Sequence, residues 1–149
     1  MPYKQPISTL VVIYTADLQV LLLKRADFPD AWQSVTGSVE GNESLRDTAM
    51  REVFEETSID LRQSLPENWF FSDWNMSSEY SIYEQWRYRY PPGTANNKEH
   101  VFSLQLPHPV AITLSVLEHT DYQWLDWQAA AEIVFSPSNA EAIRLLSRL

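Results

Sequence analysis

The stretch SLRDTAMREVFEET, residues 44–57, constrains the fold more than any other part of the chain. It contains neither Pro nor Gly and consists mostly of residues that helices tolerate, so its local reading is a helix. At 100° per residue, Ala49, Met50, Val53 and Phe54 fall in one arc of about 140°, an apolar face that has to dock on something. Glu52, Glu55 and Glu56, spaced i, i+3, i+4, lie within about 100° of one another on the side away from Val53. Any fold must cover one side of this helix and leave three carboxylates together on another.

That grouping is unfavourable by itself. Like charges one turn apart cost a helix about 0.2–0.5 kcal/mol per pair, and anions near its C-terminus oppose the macrodipole. The positions one turn from Glu52 and Glu56 are Thr48 and Asp60, and only Glu55 has a cation, Arg51, four residues earlier. An uncompensated stripe suggests a bound cation, and a set of oxygen ligands selects a hard ion, Mg²⁺ or alternatively Mn²⁺. Spacing leaves a second reading open, a solvated acidic face that binds nothing.

The segments on either side supply a sheet for the helix to dock on. ISTLVVIYT (7–15) and VLLLKR (20–25) are rich in β-branched and aliphatic residues and read as two strands joined by a tight turn. Pro29 and Asp30 mark a loop, and WQSV (32–35) reads as a short strand entering Thr36-Gly37. The aromatic-rich stretch 69–90 reads as a long strand from Tyr80 onward, with Trp86, Tyr88 and Tyr90 alternating on a core face and Arg87 and Arg89 opposite. PPG at 91–93 turns the chain into HVFSLQL (100–106), another strand. A last strand near 122–125 leads into WQAAAEIV, then Pro137 and a terminal helix from about Asn139. The expected class is α/β (α+β), one domain over 1–149 with helices packed on a sheet built mostly from hairpins.

Composition narrows the function. The absence of cysteine excludes thiolate metal sites, thiol nucleophiles and disulfide frameworks. Three glycines, Gly37, Gly41 and Gly93, are too few for a GxGxxG or GxxxxGK loop. Eleven basic against twenty acidic residues give a net charge of −9, which repels a nucleic-acid polymer. A small anionic partner is still accommodated if a metal ion or a few placed cations reverse the sign locally. The first apolar run, 7–14, is too short to span a bilayer and lacks a cleavage pattern, so no membrane association and a cytoplasmic location are expected. Oligomeric state is not legible. His100, His108 and His119 show neither zinc spacing nor a Ser-His-Asp arrangement and receive no role.

Residues 37–59, GSVEGNESLRDTAMREVFEETSI, resemble the signature box of the Nudix hydrolases: Gly37, Glu43, Arg51, Glu52, Glu55 and Glu56 all stand where that pattern has fixed residues. Ser58 replaces the pattern's last Gly, a change that touches the exit turn of the helix rather than its carboxylates. The resemblance implies a Nudix fold, a mixed β-sheet core in a three-layer α/β/α sandwich, and Mg²⁺-dependent hydrolysis of a diphosphate linked to another moiety. It further implies that Glu52 and Glu56 are principal metal ligands, Glu55 a further ligand or water activator, and Arg51 and Glu43 their electrostatic support. The Gly37 carbonyl is a further candidate ligand.

Beyond the box, KQPISTLVVIY, FPDAWQSVTGSVEGNES, RYRYPPG, EHTDYQWLD and FSPSNAEAI resemble one branch of that family, which removes pyrophosphate from dihydroneopterin triphosphate in bacterial folate synthesis. The substrate implied is thus a small-molecule triphosphate; nucleoside triphosphates such as dATP or an oxidised nucleotide, and an inactive binding module, are the competing expectations. Carried over, Glu118 is an added metal-binding carboxylate, and Lys4 and Arg25 approach the triphosphate. Thr36 and Ser136 offer hydroxyl and backbone N–H groups to the substrate, Ser136 having helix capping as its rival role. Tyr80, Ser81, Ile82 and Tyr83, together with Trp32, are the expected walls for a flat pterin ring.

Overall fold

The computed structural model describes residues 3–149. Seven strands form one mixed sheet: β1 (Ile7–Thr15), β2 (Gln19–Arg25), β3 (Trp32–Gln33), β4 (Val35–Ser38), β5 (Phe70–Ser81), β6 (Asn96–Leu106) and β7 (His119–Asp126). Three helices complete it: α1 (Leu45–Thr57), α2 (Trp127–Ile133) and α3 (Pro137–Leu145). β1 is central because it is the most apolar strand, buried at every residue after Ile7. It runs parallel to β6 along its whole length, whereas its other partners are antiparallel.

Alternation along β1 separates two cores. Leu10, Val12 and Tyr14 join Val20, Leu22 and the α2 and α3 residues Ala130, Ala131 and Ile143. Val11 and Ile13 join Leu21, Leu23, Phe102 and Leu104 under Ala49 and Val53 of α1. Helices therefore cover both faces, giving the α/β/α layering expected.

The β1 pairings position the site. β1 pairs with β2 only at Tyr14↔Val20, whereas Ser8–Val11 pair with β4. The neighbour of β1 thus changes along its length, and the sheet opens between the ends of β2 and β3 on one side and β4 on the other. Ser34 stands between β3 and β4, held by Asn139 of α3, which accepts from its N–H at 2.8 Å and donates to its hydroxyl at 2.9 Å.

α1 begins at Ser44, whose hydroxyl accepts from the Asp47 N–H, and ends at Ser58 in the left-handed region, φ 69°. The pattern's glycine position is one where glycine costs nothing, and serine occupies it here at a conformational penalty. The buried face of α1 is Thr48, Ala49, Glu52, Val53, Glu56 and Thr57, rotated from the arc read off the sequence. Phe54, expected in the core, is 42% exposed and covered only by the Arg62 guanidinium, 5.2 Å from its ring centre. The rotation seats Glu52 against Gly37 and brings Glu56 to the cavity.

Residues 80–90 differ from the expected strand. β5 ends at Ser81, and Glu84–Arg89 form a 3₁₀ segment pinned by the Lys4 N–H donating to the Arg89 carbonyl at 2.8 Å. Trp86, Tyr88 and Tyr90 consequently do not share a strand face: Tyr88 is 72% exposed, and Trp86 and Tyr90 turn toward the cavity.

Candidate active site

The opened sheet holds a cavity of about 610 Å³. Gly37, Thr36 and Glu56 line one part of it, Lys4, Arg25 and Arg89 another, and Tyr83, Trp86 and Phe135 a third.

The carboxylate part comes from α1 against β4. Glu52 and Glu56 are 8% and 2% exposed, so both carboxylates are withdrawn from water. Glu52 packs directly on Gly37: a Cβ at that residue would overlap the Glu52 carboxyl carbon, which makes glycine a requirement of close approach here. Burial first, then the shared hydrogen bond and charge of Glu52, push the Glu56 carboxyl well above the usual carboxylate range; burial raises Glu52 as well. Oε1 of Glu56 is buried with no hydrogen-bond partner among the described residues. His119, 3.7 Å away, offers no charge, because burial and Arg25 lower its pKa to about 4.

Arg51 organises the rim. Its Nε donates to Glu43 at 2.7 Å, its Nη2 to the Ser38 carbonyl at 2.9 Å, and its Nη1 to Glu52 at 2.6 Å and Glu55 at 3.1 Å. The sequence suggested a cation for Glu55 alone; the guanidinium instead serves Glu52 too, and Glu56 is the member of the stripe left without one. Hydrogen bonding to Arg51 lowers the Glu43 pKa to about 2.

Among the described residues, no three His, Asp or Glu side chains gather into a ready ligand cluster. The pair nevertheless fits a hard divalent ion: its donors are oxygens, one buried oxygen is orphaned, and Glu118 at the cavity mouth is near enough to raise Glu56 further. Such an ion takes few protein ligands and fills the rest of its shell with water and phosphate oxygens.

The cationic wall is built on Asp27. It accepts from Arg25 at 2.7 and 2.8 Å and from Arg89 at 3.1 Å, and this pairing holds its carboxyl far below the usual range. Arg25 also lies over the Trp86 ring, 4.3 Å from its centre. Burial and then Arg89 lower the Lys4 pKa. Phe135 and Tyr83 stand 5.9 Å apart, and Trp86 meets each of them edge-on.

Lys4, Arg25, Thr36, Gly37, Glu56, Tyr80, Ser81, Ile82, Tyr83, Glu118 and Ser136 of the sequence expectation all line this cavity. The Thr36 hydroxyl is committed to the Thr9 carbonyl at 3.0 Å. Ser136 precedes α3 without capping it; its hydroxyl meets that of Ser138 at 3.0 Å. Glu55 sits on the outer side of Arg51, and Ile82 is buried. Trp32 is not a cavity wall: in β3 it pairs with Lys24 of β2 and packs on the α2 and α3 core. Asp27, Trp86, Phe135, Glu99 and His119 were not singled out for the site, since their meeting depends on pairings between distant strands and helices.

The NUDIX domain model matches residues 4–146, and the chain belongs to that family. Over 142 residues it is 47% identical to dihydroneopterin triphosphate diphosphatase of Escherichia coli, across 95% of this chain and 91% of the relative. The enzyme of the same name from Haemophilus influenzae is 41% identical over 97% of this chain and 89% of its own length. The solved structure of the E. coli dihydroneopterin triphosphate pyrophosphohydrolase superposes with a TM-score of 0.87 at 46% identity, covering 96% of this chain and 95% of that one. No helix among the described residues is long and apolar enough to cross a membrane.

Proposed function

We propose that this chain hydrolyses dihydroneopterin triphosphate to dihydroneopterin monophosphate and pyrophosphate, with Mg²⁺ as cofactor and Mn²⁺ as a substitute, in the cytoplasm and in the service of folate synthesis. One observation carries the reading: a single cavity joins the buried Glu56 carboxylate, with Glu52 packed behind the lining residue Gly37, to a cationic wall and an aromatic floor. A triphosphate attached to a flat ring needs all three. The names of the two relatives above support the choice of substrate.

When bound, the divalent ion neutralises the crowded phosphates and makes a water molecule acidic enough to attack. Glu52 and Glu56 would hold that ion, its positive charge offsetting the burial of the two carboxylates. Arg51 bridges Glu52 and Glu55 and fixes the Glu55 carboxylate at the rim as the group that accepts the proton of the attacking water. Glu118 would add a carboxylate from the loop before β7, and Gly37, which lines the cavity beside Glu52, would offer its carbonyl. Arg25, Arg89 and Lys4 orient the chain of phosphates, with Asp27 fixing both guanidinium groups so that they are preorganised rather than mobile. Tyr80 to Tyr83 and Ser136 border the ring and its substituents. The phosphoanhydride bond breaks, water supplies one oxygen, and no covalent enzyme intermediate is needed.

The test is release of pyrophosphate from dihydroneopterin triphosphate by the purified protein with Mg²⁺, compared with Glu56→Gln. The variant is expected to lose at least about 100-fold in turnover while keeping its fold, because it loses charge and not shape. Unchanged turnover at saturating Mg²⁺ refutes the role given to Glu56.

A further inference from the structure

The cavity contains a second buried carboxylate, far from the metal-type pair in chain position and unused by the hydrolysis just described. Glu99 lies on β6, 3% exposed, and reaches the cavity beside α3. β1 places Ser8 directly opposite it and β5 places Ser78 on its other side. No cation pairs with it among the described residues. Ser138 donates to Oε1 at 2.9 Å, and the Tyr80 hydroxyl helps to stabilise its charge.

Asn97, two residues earlier on the same face of β6, is 1% exposed and also lines the cavity. Its amide nitrogen is fully engaged, donating to Ser8 Oγ at 2.7 Å and to the Tyr80 hydroxyl at 3.1 Å. Those two bonds fix the orientation of the amide and leave Oδ1 buried with no donor. Glu99 and Asn97 thus bring a carboxylate and a donor-free amide oxygen to the lining of the cavity that also holds the Tyr83, Trp86 and Phe135 rings. Burying the Asn97 oxygen without a donor is costly, and the Glu99 carboxylate has only hydroxyl donors and no cation to balance its charge, so this end of the cavity suits a ligand that brings N–H groups.

We propose that Glu99 and Asn97 form the specificity pocket for the ring, accepting hydrogen bonds from adjacent amino and ring N–H donors of a 2-amino-4-oxo heterocycle. A pterin presents that donor pair. An adenine ring presents an acceptor where the ring N–H would be and cannot satisfy Glu99 in the same way. Ser138 is a positioning residue that holds the carboxylate in plane with the ligand. Glu99 accepts no proton in the reaction and touches no phosphate; it selects the substrate by leaving a wrong ring with unpaired buried oxygens.

This assignment rests on reading the cavity as a triphosphate hydrolase site, and its test keeps the two apart. Wild type and Glu99→Gln are assayed with Mg²⁺ on dihydroneopterin triphosphate and on dATP, with binding of phosphate-free dihydroneopterin followed by calorimetry. Gln replaces one acceptor oxygen by an N–H₂ donor without changing size. The expected result is a roughly ten- to hundredfold fall in the ratio of kcat/KM on the pterin to that on dATP, carried by KM, with a matching rise in Kd for dihydroneopterin. Ser138→Ala, which leaves the buried carboxylate in place, is expected to shift both in the same direction by a smaller factor and guards against misfolding of the first variant. An unchanged ratio and an unchanged Kd in both variants overturn the assignment while leaving the hydrolase reading intact. A wild type that cleaves neither substrate overturns the hydrolase reading, and the pocket assignment with it.

Discussion

Replacing Gly37 by alanine separates the scaffold of the site from its chemistry. The added Cβ would overlap the carboxyl carbon, one oxygen and Cγ of Glu52, all atoms at the far end of a flexible side chain. The backbone of β4 is paired with β1 at Thr9↔Gly37 and does not yield easily, so the Glu52 carboxylate is what moves. Relieving the overlap takes a displacement of more than about 1 Å, which breaks the 2.6 Å bond from Arg51 and pulls the carboxylate away from Glu56. Overpacking of this kind costs about 1–3 kcal/mol of stability. Misplacing a catalytic group by about 1 Å costs on the order of 100-fold in rate. The variant is therefore expected to fold, with a lowered urea midpoint, and to lose about 100-fold in kcat/KM and require more Mg²⁺ for half-maximal rate. Steady-state kinetics across a Mg²⁺ titration, beside a urea melt, read all three. Wild-type kcat/KM and Mg²⁺ requirement in a folded Gly37→Ala protein would refute the claim that Glu52 works from this cradle.

The remaining predictions concern stability. Ser58→Gly relieves the left-handed backbone at φ 69° and loses one exposed hydrogen bond to the Thr113 carbonyl, for a net gain of about 0.5–1 kcal/mol in urea unfolding; a loss of stability would contradict it. Glu43 has a folded pKa lowered to about 2, so its bond to Arg51 contributes stability above its ordinary pKa that is lost as pH falls toward 2. Glu43→Gln is thus expected to cost about 1–2 kcal/mol at pH 7, with the difference from wild type closing near pH 2 in parallel melts. Glu56 has the opposite sign: its folded pKa is raised, so metal-free protein is most stable below the ordinary carboxylate pKa and loses stability as pH rises through the raised one. In EDTA the Tm of wild type should fall with rising pH over that window more steeply than that of Glu56→Gln, and Mg²⁺ should restore it; a Tm indifferent to both contradicts the coupled pair.

The parts of this molecule that were legible in its sequence are those set by local pattern. β1, β2 and α1 follow from β-branched runs and a helix without breakers, and the carboxylates of α1 were identified from spacing and family pattern together. β5 was not legible. It is an edge strand, exposed along most of its length, with a register shift between Asp73 and Ser77 around Asn75 at φ 53°. Its sequence carries little alternation because few of its side chains are held, chiefly Phe71 stacked on Phe102, Trp74 bonded to Ser103 and Tyr80 bonded to Asn97. The aromatics after it read as strand on propensity, but they serve a cavity wall and have no sheet partner. Phe54 reads as core from its apolar neighbours, whereas the buried face of α1 is the one that seats Glu52 against Gly37 and Glu56 at the cavity. Asp27, Phe135 and the β6 pair Asn97 and Glu99 come from three separate segments, and the change of strand partner along β1 brings them to one space.

The central claim is that this cavity hydrolyses a pterin triphosphate. It is tested most directly by incubating the purified protein and Mg²⁺ with dihydroneopterin triphosphate and with the common nucleoside triphosphates in parallel, and identifying the products. The account predicts pyrophosphate and dihydroneopterin monophosphate, formed with a higher kcat/KM than any nucleotide product. A nucleotide preferred over the pterin, or no hydrolysis of either, contradicts it.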